Sequence, residues 1–568
     1  MANIIAQEKS STSPISNKRG TYVEVPRPDT IPIIFVPGIM GSNIYNTHLR
    51  KSVWKIGNGS GKIGTVYSQM QKSPAVLQTE LDPLNTQVDM SGDIQVDYRL
   101  RLTEKILRER YWGTVHWDSY GDMLTYLQLA LNRVDLEEQK IYAGGAWGSY
   151  AVIQQFKDQE VVREWKSLLN QAEMPKWGAQ QPFIGINQQE IEHLKNFHFP
   201  VYAMGYNWLQ SSEEGAALVS QKLDKIKKQY AGSFHQFIVV THSMGGLLTR
   251  RLVQLRHDIA GVVHGVMPAE GAAAAYRRIV TGSGDAGAAA YVLGKNTEHV
   301  TAVLANAPGG LELLPSKAYN GGKPWLFLRG TGVINGHEQQ HVVALPKHNP
   351  YEEIYKADGV WWEMVKAELI DPADITSKRN SGKRPKDIYF KTIEKVEEFH
   401  KKITNKYHPC TYINYGHDTQ YASFGTLSWQ LDRKITGLTE TQVLKLPRIN
   451  AKEIDAYNSK ILKEASYVGM GASAEIRDNI KENNGLRYIK LVSGQFATFK
   501  ISEKDTAGDG TVPWQSGRAP LKQSGVKQVF QMKGFDHQGS YKNAQVKRSV
   551  LYSIVRIIKE NNIQPKNR

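Results

Sequence analysis

Short apolar runs closed by glycine, proline or small polar residues recur along the chain, and helical patterns follow several of them. IPIIFVPGIMGS (31–42) predicts a buried strand that meets a tight turn at Pro37 and Gly38. FPVYAMGYN (199–207) has the same character. The segment SSEEGAALVSQKLDKIKKQY that follows sets apolar residues at helical spacing behind Ser212, a candidate N-cap. FHQFIVVTHSMGGLLTRRLV then reads as strand, turn and helix, and IAGVVHGVMP (259–268) as a further buried strand. Near the C-terminus, KQVFQMKGFDHQG predicts a last strand and loop, and VKRSVLYSIVRIIKE a closing amphipathic helix. The strands are continuously apolar rather than alternating, so both of their faces must be covered. Together these signals predict an α/β fold, a mostly parallel sheet with helices on both faces.

Two long stretches break this pattern. Residues 50–197 hold Trp-rich and helical segments such as DMLTYLQLALNRV, and residues 335–485 are polar, charged and aromatic, with IYFKTIEKVEEFHKKI as an amphipathic helix. Both are expected to be insertions on the catalytic face, 50–197 a cap or helical region and 335–485 a cap or partner-binding region. Residues 1–29, rich in Ser, Pro and Lys, read as a flexible polar leader. That leaves 30–49, 198–334 and 486–568 for the core. No internal repeat of fixed period is present. AEGAAAAYRRIVTGSGDAGAAAYVLG reads as a helical loop region.

Composition narrows the class. A chain of 568 residues with 40% hydrophobic and 22% charged residues is globular, and large enough to shield a site without disulfides or metal. Its single cysteine, Cys410, cannot form an internal disulfide, lies in no thiol-protease motif and is read as structural. The N-terminus has no apolar core of the secretory type, and no stretch approaches the roughly 18 apolar residues of a membrane span. The expectation is a soluble chain made in a reducing cytosol, whose export would bypass a cleaved signal. Lys and Arg outnumber Asp and Glu by 71 to 55, giving a formal charge of +16. The basic residues are scattered, with modest clusters in RNSGKRPK (379–386) and the C-terminal tail. Such a surface is either merely solvated or drawn to anionic bilayers or an acidic partner. Zinc-finger spacings, RNP motifs and P-loops are absent, which argues against nucleic acid.

Four local patterns carry chemistry. The first is Thr241-His242-Ser243-Met244-Gly245-Gly246, with strand-like FIVVTH before it and helix-like GLLTRRLVQL after it. A serine on the sharp turn between a strand and a helix is exposed as a nucleophile, and its neighbours two residues away must be small. Gly245 meets that demand; Thr241 stands where the usual pattern has glycine. The second pattern is Pro37-Gly38-Ile39-Met40-Gly41 after the first core strand. Acyl transfer develops charge on a carbonyl oxygen, which two fixed backbone N–H groups stabilise. Met244 and Ile39 are the candidate donors, with Met40 next to Ile39 as the alternative. The third pattern, Asp505-Thr-Ala-Gly-Asp509-Gly-Thr-Val-Pro, offers Asp509 as the carboxylate that orients a histidine, with Asp505 as competitor. The fourth is Lys533-Gly534-Phe535-Asp536-His537-Gln538-Gly539, which offers His537 as base and completes the chain order Ser, Asp, His. Among the 16 histidines, His242 is the weaker candidate because it points off the turn in another direction. His408, His417 and Asp418 follow no known metal-ligand spacing. The expected chemistry needs neither metal nor organic cofactor.

P-G-I-M-G-S, H-S-M-G-G, G-D-G-T-V-P and the following G-x-D-H together resemble the lecithin–cholesterol acyltransferase and lipase branch of the α/β hydrolases. Tyr206-Asn207-Trp208 resembles that branch's Tyr-Asp-Trp, with Asn in place of Asp. The similarity covers about half the chain: 31–46, 199–270 and 486–568. VVHGVMPAEGAAAAYRRIVTG and NAPGGLELLP are similar to segments of the bacterial type VI secretion lipase effectors, antibacterial phospholipases delivered without a signal peptide. The resemblance implies an α/β-hydrolase fold with large cap insertions, and hydrolysis of membrane lipid esters through an acyl-serine. It also implies peripheral membrane contact, an immunity protein, a secretion-spike partner, synthesis in the bacterial cytoplasm and action in a target cell's periplasm. The alternatives are a housekeeping triacylglycerol lipase or esterase, and a catalytically silent α/β-hydrolase scaffold used for binding.

Overall fold

In the computed structural model the described residues are 7–10, 21–24, 29–55, 71–132, 159–283, 294, 296–449, 453, 456, 485–491 and 496–566. The apolar runs become β1 (Ile33–Val36), β2 (Val201–Ala203), β3 (Phe237–His242) and β4 (Ile259–Gly265) of one sheet, which the more polar β5 (Thr411–Gly416) and β6 (Val526–Met532) complete. They lie in the order β6-β5-β4-β3-β1-β2, and every neighbouring pair is parallel. From β1 the chain crosses to the edge as β2, then returns to the other side of β1 as β3. The loops leaving β1 and β3 therefore diverge, and a crevice opens at the carboxyl ends of these two strands.

Both faces of the sheet are covered, as continuous apolar strands demand. Ile34, Val36 and Val239 pack with Val219 and Leu223 of α2 (Ser212–Gln229) and Leu248 and Leu252 of α3 (Gly245–Leu255). Ile33, Phe35, Ile238 and Val240 face the other way, onto Leu124 and Leu127 of α1 (Trp117–Asn132) and Leu551 and Ile554 of α4 (Ala544–Glu560). Alternate residues of each strand thus feed two separate cores, so polar substitution at any of these positions would bury an unpaired group. The cap of α2 is Ser211, one residue before the expected Ser212; its hydroxyl accepts the Glu213 N–H at 3.1 Å. The fold is that of an α/β hydrolase.

The boundaries differ from those read in the sequence. Strand β5 lies inside the stretch 335–485 that was expected to be an insertion, yet it runs between β4 and β6. Its sequence TYINYG is wholly buried, and its tyrosines and asparagine disguised a central strand as a polar segment. Conversely, Leu326–Ile334, Leu486–Lys490 and Phe496–Ile501, assigned to the core, join His337–Leu345 and Leu427–Thr436 in a second, mixed five-stranded sheet. The stretch 50–197 is not only a cap, since α1 covers the main sheet. In the leader, Gln7–Ser10 pairs antiparallel with Thr21–Glu24. Residues 284–293 of the Ala- and Gly-rich segment lie outside the described residues.

The second sheet shares the core of the first. Trp361 stacks on Phe499 at 3.8 Å between ring centroids, sits edge-on to Trp429 and donates its Nε1–H to the Val443 carbonyl at 2.7 Å. These rings belong to the same apolar cluster as Ile34 and Val36. Trp361→Ala is expected to cost about 3–5 kcal/mol. Because the cluster is continuous, chemical denaturation of that variant should show one earlier transition rather than a separate early step for the second sheet.

Candidate active site

Ser243 follows β3 and precedes α3, with φ 51° in the left-handed region. An L-residue there is strained, and the surroundings must hold it. Its N–H donates to the Gly265 carbonyl at 2.8 Å, and its carbonyl accepts the Gly246 N–H at 2.9 Å. A Cβ on Gly245 would lie 2.4 Å from the Pro37 carbonyl oxygen and 2.6 Å from that of Val36. Only glycine lets the turn after β3 press against the end of β1. Thr241 is tolerated where the usual pattern has glycine because its hydroxyl is engaged sideways, 2.9 Å from Nδ1 of His264, its register partner on β4.

The loop after β6 and the turn at 508–513 converge on this serine. His537 Nε2 lies 2.8 Å from Ser243 Oγ, and His537 Nδ1 lies 2.8 Å from Asp509 Oδ2. A carboxylate only accepts, so the ring proton sits on Nδ1 and Nε2 is left to accept the serine proton. Asp509 is buried, and its Oδ1 accepts the N–H groups of Thr511 at 3.1 Å and Val512 at 2.7 Å. Its carbonyl also accepts the His537 N–H at 2.7 Å, so backbone as well as side chain ties the acid to the base. Gly510 carries φ 89°, the turn that aims this carboxylate. Asp505 is occupied elsewhere, accepting the N–H groups of Gly425 at 2.6 Å and Thr426 at 2.9 Å.

Of the other candidates, Asp418 lies beside this line, whereas His408 and Cys410 sit at the amino ends of β4 and β5, the opposite end of the sheet from Ser243. Asp418 accepts the Gly534 N–H at 2.8 Å and so anchors the His537 loop; that hydrogen bond holds its carboxyl below the usual range. His408 bonds the Ile259 carbonyl at 3.0 Å, and among the described residues no group of His, Cys, Asp or Glu is placed to hold a metal ion. Cys410 is buried at the start of the region around β5, where burial pushes its thiol up to about 11.

The turn Pro37–Gly41 abuts the serine. A Cβ on Gly38 would sit 2.9 Å from Ser243 Cβ. Met40 has φ 60°. Its carbonyl accepts the Nε1–H of Trp54 at 3.0 Å, while the Gly38 N–H donates to the Tyr120 hydroxyl at 3.2 Å. Among the described residues, the N–H groups of Ile39 and Met244 have no hydrogen-bond partner. Met244 also heads α3, whose amino end favours negative charge. Trp54 and Tyr120 were missed in the sequence, where both fall in the stretch 50–197 and nothing in their spacing points to the first core strand. Ser243 is only 3% exposed. The short helix Pro308–Leu311 packs near the Met244 and Ile39 side chains: a Cβ on Gly309 would meet Met244 Cε at 3.0 Å, and one on Gly310 would meet Ile39 Cδ1 at 4.0 Å.

A parallel sheet with a serine at the strand–helix turn, an acid and a histidine hydrogen-bonded to it in line, and a glycine turn alongside defines this chain as an α/β hydrolase by fold. Over nearly all its length it is similar to the solved structure described as the crystal structure of the Tle4-Tli4 complex, at 27% identity and a TM-score of 0.69, covering 93% of this chain and 99% of that one. This match agrees with the resemblance to type VI secretion lipase effectors. Phospholipase PlaB from Legionella pneumophila is also matched, at 9% identity over 56% of this chain and 73% of that one, with a TM-score of 0.14 that supports no comparison of structure. No family profile and no curated protein sequence matches the chain.

Two carboxylates compete for the same role in the sequence, and the geometry separates them. Asp509→Asn should lower kcat on a soluble ester by about 10⁴-fold, because an amide favours the wrong imidazole tautomer. Asp505→Asn should stay near wild type. Steady-state kinetics of the two purified variants checks the ranking, and the reverse order would reassign the acid.

Proposed function

We propose that the chain is a serine lipase of the phospholipase type, acting as an antibacterial type VI secretion effector on the membrane phospholipids of a target cell. The observation that carries the chemistry is the unbroken hydrogen-bond line from Asp509 through His537 to Ser243. The Ser243 oxygen attacks the ester carbonyl carbon while His537 Nε2 takes its proton. The carbonyl oxygen becomes negative and is held by the N–H groups of Ile39 and Met244, each such donor contributing about 3–4 kcal/mol in comparable sites. The imidazolium, stabilised by Asp509, then protonates the departing alcohol oxygen, leaving an acyl-serine. Water, activated by His537, attacks the acyl carbon, and Ser243 leaves with the proton. None of these steps calls for a metal or organic cofactor.

The full-length likeness to a chain of the Tle4-Tli4 complex supports the effector part of this reading, and with it a dedicated binding protein acting as immunity partner. A secretion-spike partner and action in the periplasm of the target, after synthesis in the cytoplasm, belong to the same proposal. No helix among the described residues is long and apolar enough to cross a membrane, so contact with lipid is peripheral in this reading. A formal charge of +16 favours anionic bilayers, with an attraction that weakens as salt screens it over about 10 Å.

The test joins chemistry to biology. On anionic phospholipid vesicles the wild-type chain should release fatty acid, and Ser243→Ala should reduce that release by about 10³-fold or more. Directed to a Gram-negative periplasm by an added export signal, the wild type should halt growth; Ser243→Ala, or wild type kept in the cytosol, should not. Equal growth of all cultures with the protein present in the periplasm would reject the effector role. Fatty-acid release by Ser243→Ala equal to wild type would reject the chemistry.

A further inference from the structure

The residue before the nucleophile and a tyrosine of α1 link the two halves of the site. His242 ends β3 with its ring between Tyr120 and His537, at centroid distances of 5.5 and 5.2 Å. Its Nε2 lies 3.0 Å from the main-chain carbonyl oxygen of His537. A carbonyl only accepts, so Nε2 carries a proton. Its Nδ1 lies 3.1 Å from the Tyr120 hydroxyl. Burial pushes the imidazole down to about 3 and the phenol up to about 12, so at neutral pH one ring nitrogen is bare and the hydroxyl keeps its proton. Nδ1 therefore accepts from Tyr120, and the phenolic oxygen accepts the Gly38 N–H at 3.2 Å. Each link has only one direction it can take. One end of the chain is the glycine whose next peptide presents the Ile39 N–H; the other is the peptide that carries the catalytic imidazole.

The fit around the hydroxyl is close. A Cβ on Gly41 would lie 2.6 Å from the Tyr120 oxygen, and one on Gly38 would lie 2.8 Å from His242 Nδ1. Both rings are buried, and the Tyr120 ring also packs on Phe35 of β1 at 5.1 Å.

We propose that Tyr120 and His242 are positioning residues, whose hydrogen-bonded chain sets the distance between the Pro37–Gly41 turn and the His537 backbone. With that distance fixed, the oxyanion donors and the imidazole address the same ester carbonyl. The proposal rests on the reading of Ser243, Asp509 and His537 as the catalytic groups. Neither positioning residue touches the reacting atoms. Loss of the chain lets the two halves drift, which weakens the transition state more than substrate binding.

The experiment uses the full chain with p-nitrophenyl butyrate as substrate and a fluorophosphonate as the covalent probe. Tyr120→Phe keeps the ring and its packing and removes only the hydroxyl. It should lower kcat by about tenfold, less than the loss of a direct oxyanion donor, while KM stays within about twofold. Fluorophosphonate inactivation should slow by the same factor. His242→Gln, whose amide can still donate towards the His537 carbonyl, should retain more kcat than His242→Leu. Unfolding curves measured alongside give the folded fraction, to which every rate is normalised. Wild-type kcat in Tyr120→Phe, a loss confined to KM, or equal losses in the glutamine and leucine variants would overturn the proposal. Ser243→Ala, assayed in parallel, reports on the site itself: its inactivity leaves the positioning role to be judged on the other variants, and its activity removes the catalytic reading and the positioning role together.

Discussion

The close approach of two turns governs everything at the catalytic face. Ser243 at φ 51° occupies a backbone state that costs about 1–3 kcal/mol for a residue with a side chain. It stays there because β1, β3 and β4 fix the start of the turn, α3 fixes its end, and the missing Cβ of Gly245 lets the Val36 and Pro37 carbonyls fill the space beneath. The strand order makes this contact available, since β1 and β3 are neighbours whose following loops part in opposite directions. Any side chain at position 245 would push the turns apart and carry the serine away from Ile39.

Around that contact the site is set by donors and acceptors of fixed direction. Asp509 spends one oxygen on two backbone N–H groups and the other on His537, so its buried charge is compensated from three sides. The imidazole is then held by its ring and by its own main chain, through the Asp509 carbonyl on one side and His242 on the other. Dipoles fixed in this way are already oriented, which is where preorganised groups gain over solvent. Pro308–Leu311 packs against the Ile39 and Met244 side chains and so braces both sides of the turn that carries Ser243.

Much of the sheet was legible because four of its six strands are apolar runs, and the serine turn, the acid turn and the histidine loop each carry glycines that mark sharp changes of direction. What hid was whatever depends on distant packing. TYINYG reads as polar although every residue is buried between two strands. Trp54 and Tyr120 reach the first strand's turn from the stretch 50–197, and no periodicity encodes that contact. Sequence favours Asp509 over its competitor Asp505 through the Gly510 turn alone; the hydrogen-bond partners of the two carboxylates separate them by contact. His242 reads in the sequence only as a weaker base, whereas its ring lies buried behind the His537 backbone with both nitrogens engaged.

All of this turns on Ser243 being chemically activated by its neighbours. The most direct measurement is to react the purified chain with a fluorophosphonate and locate the adduct by peptide mass spectrometry. A single adduct on Ser243, formed rapidly in the wild type and lost in His537→Ala, is the result expected. An adduct on another residue, or no reaction by folded wild-type protein, would contradict the account.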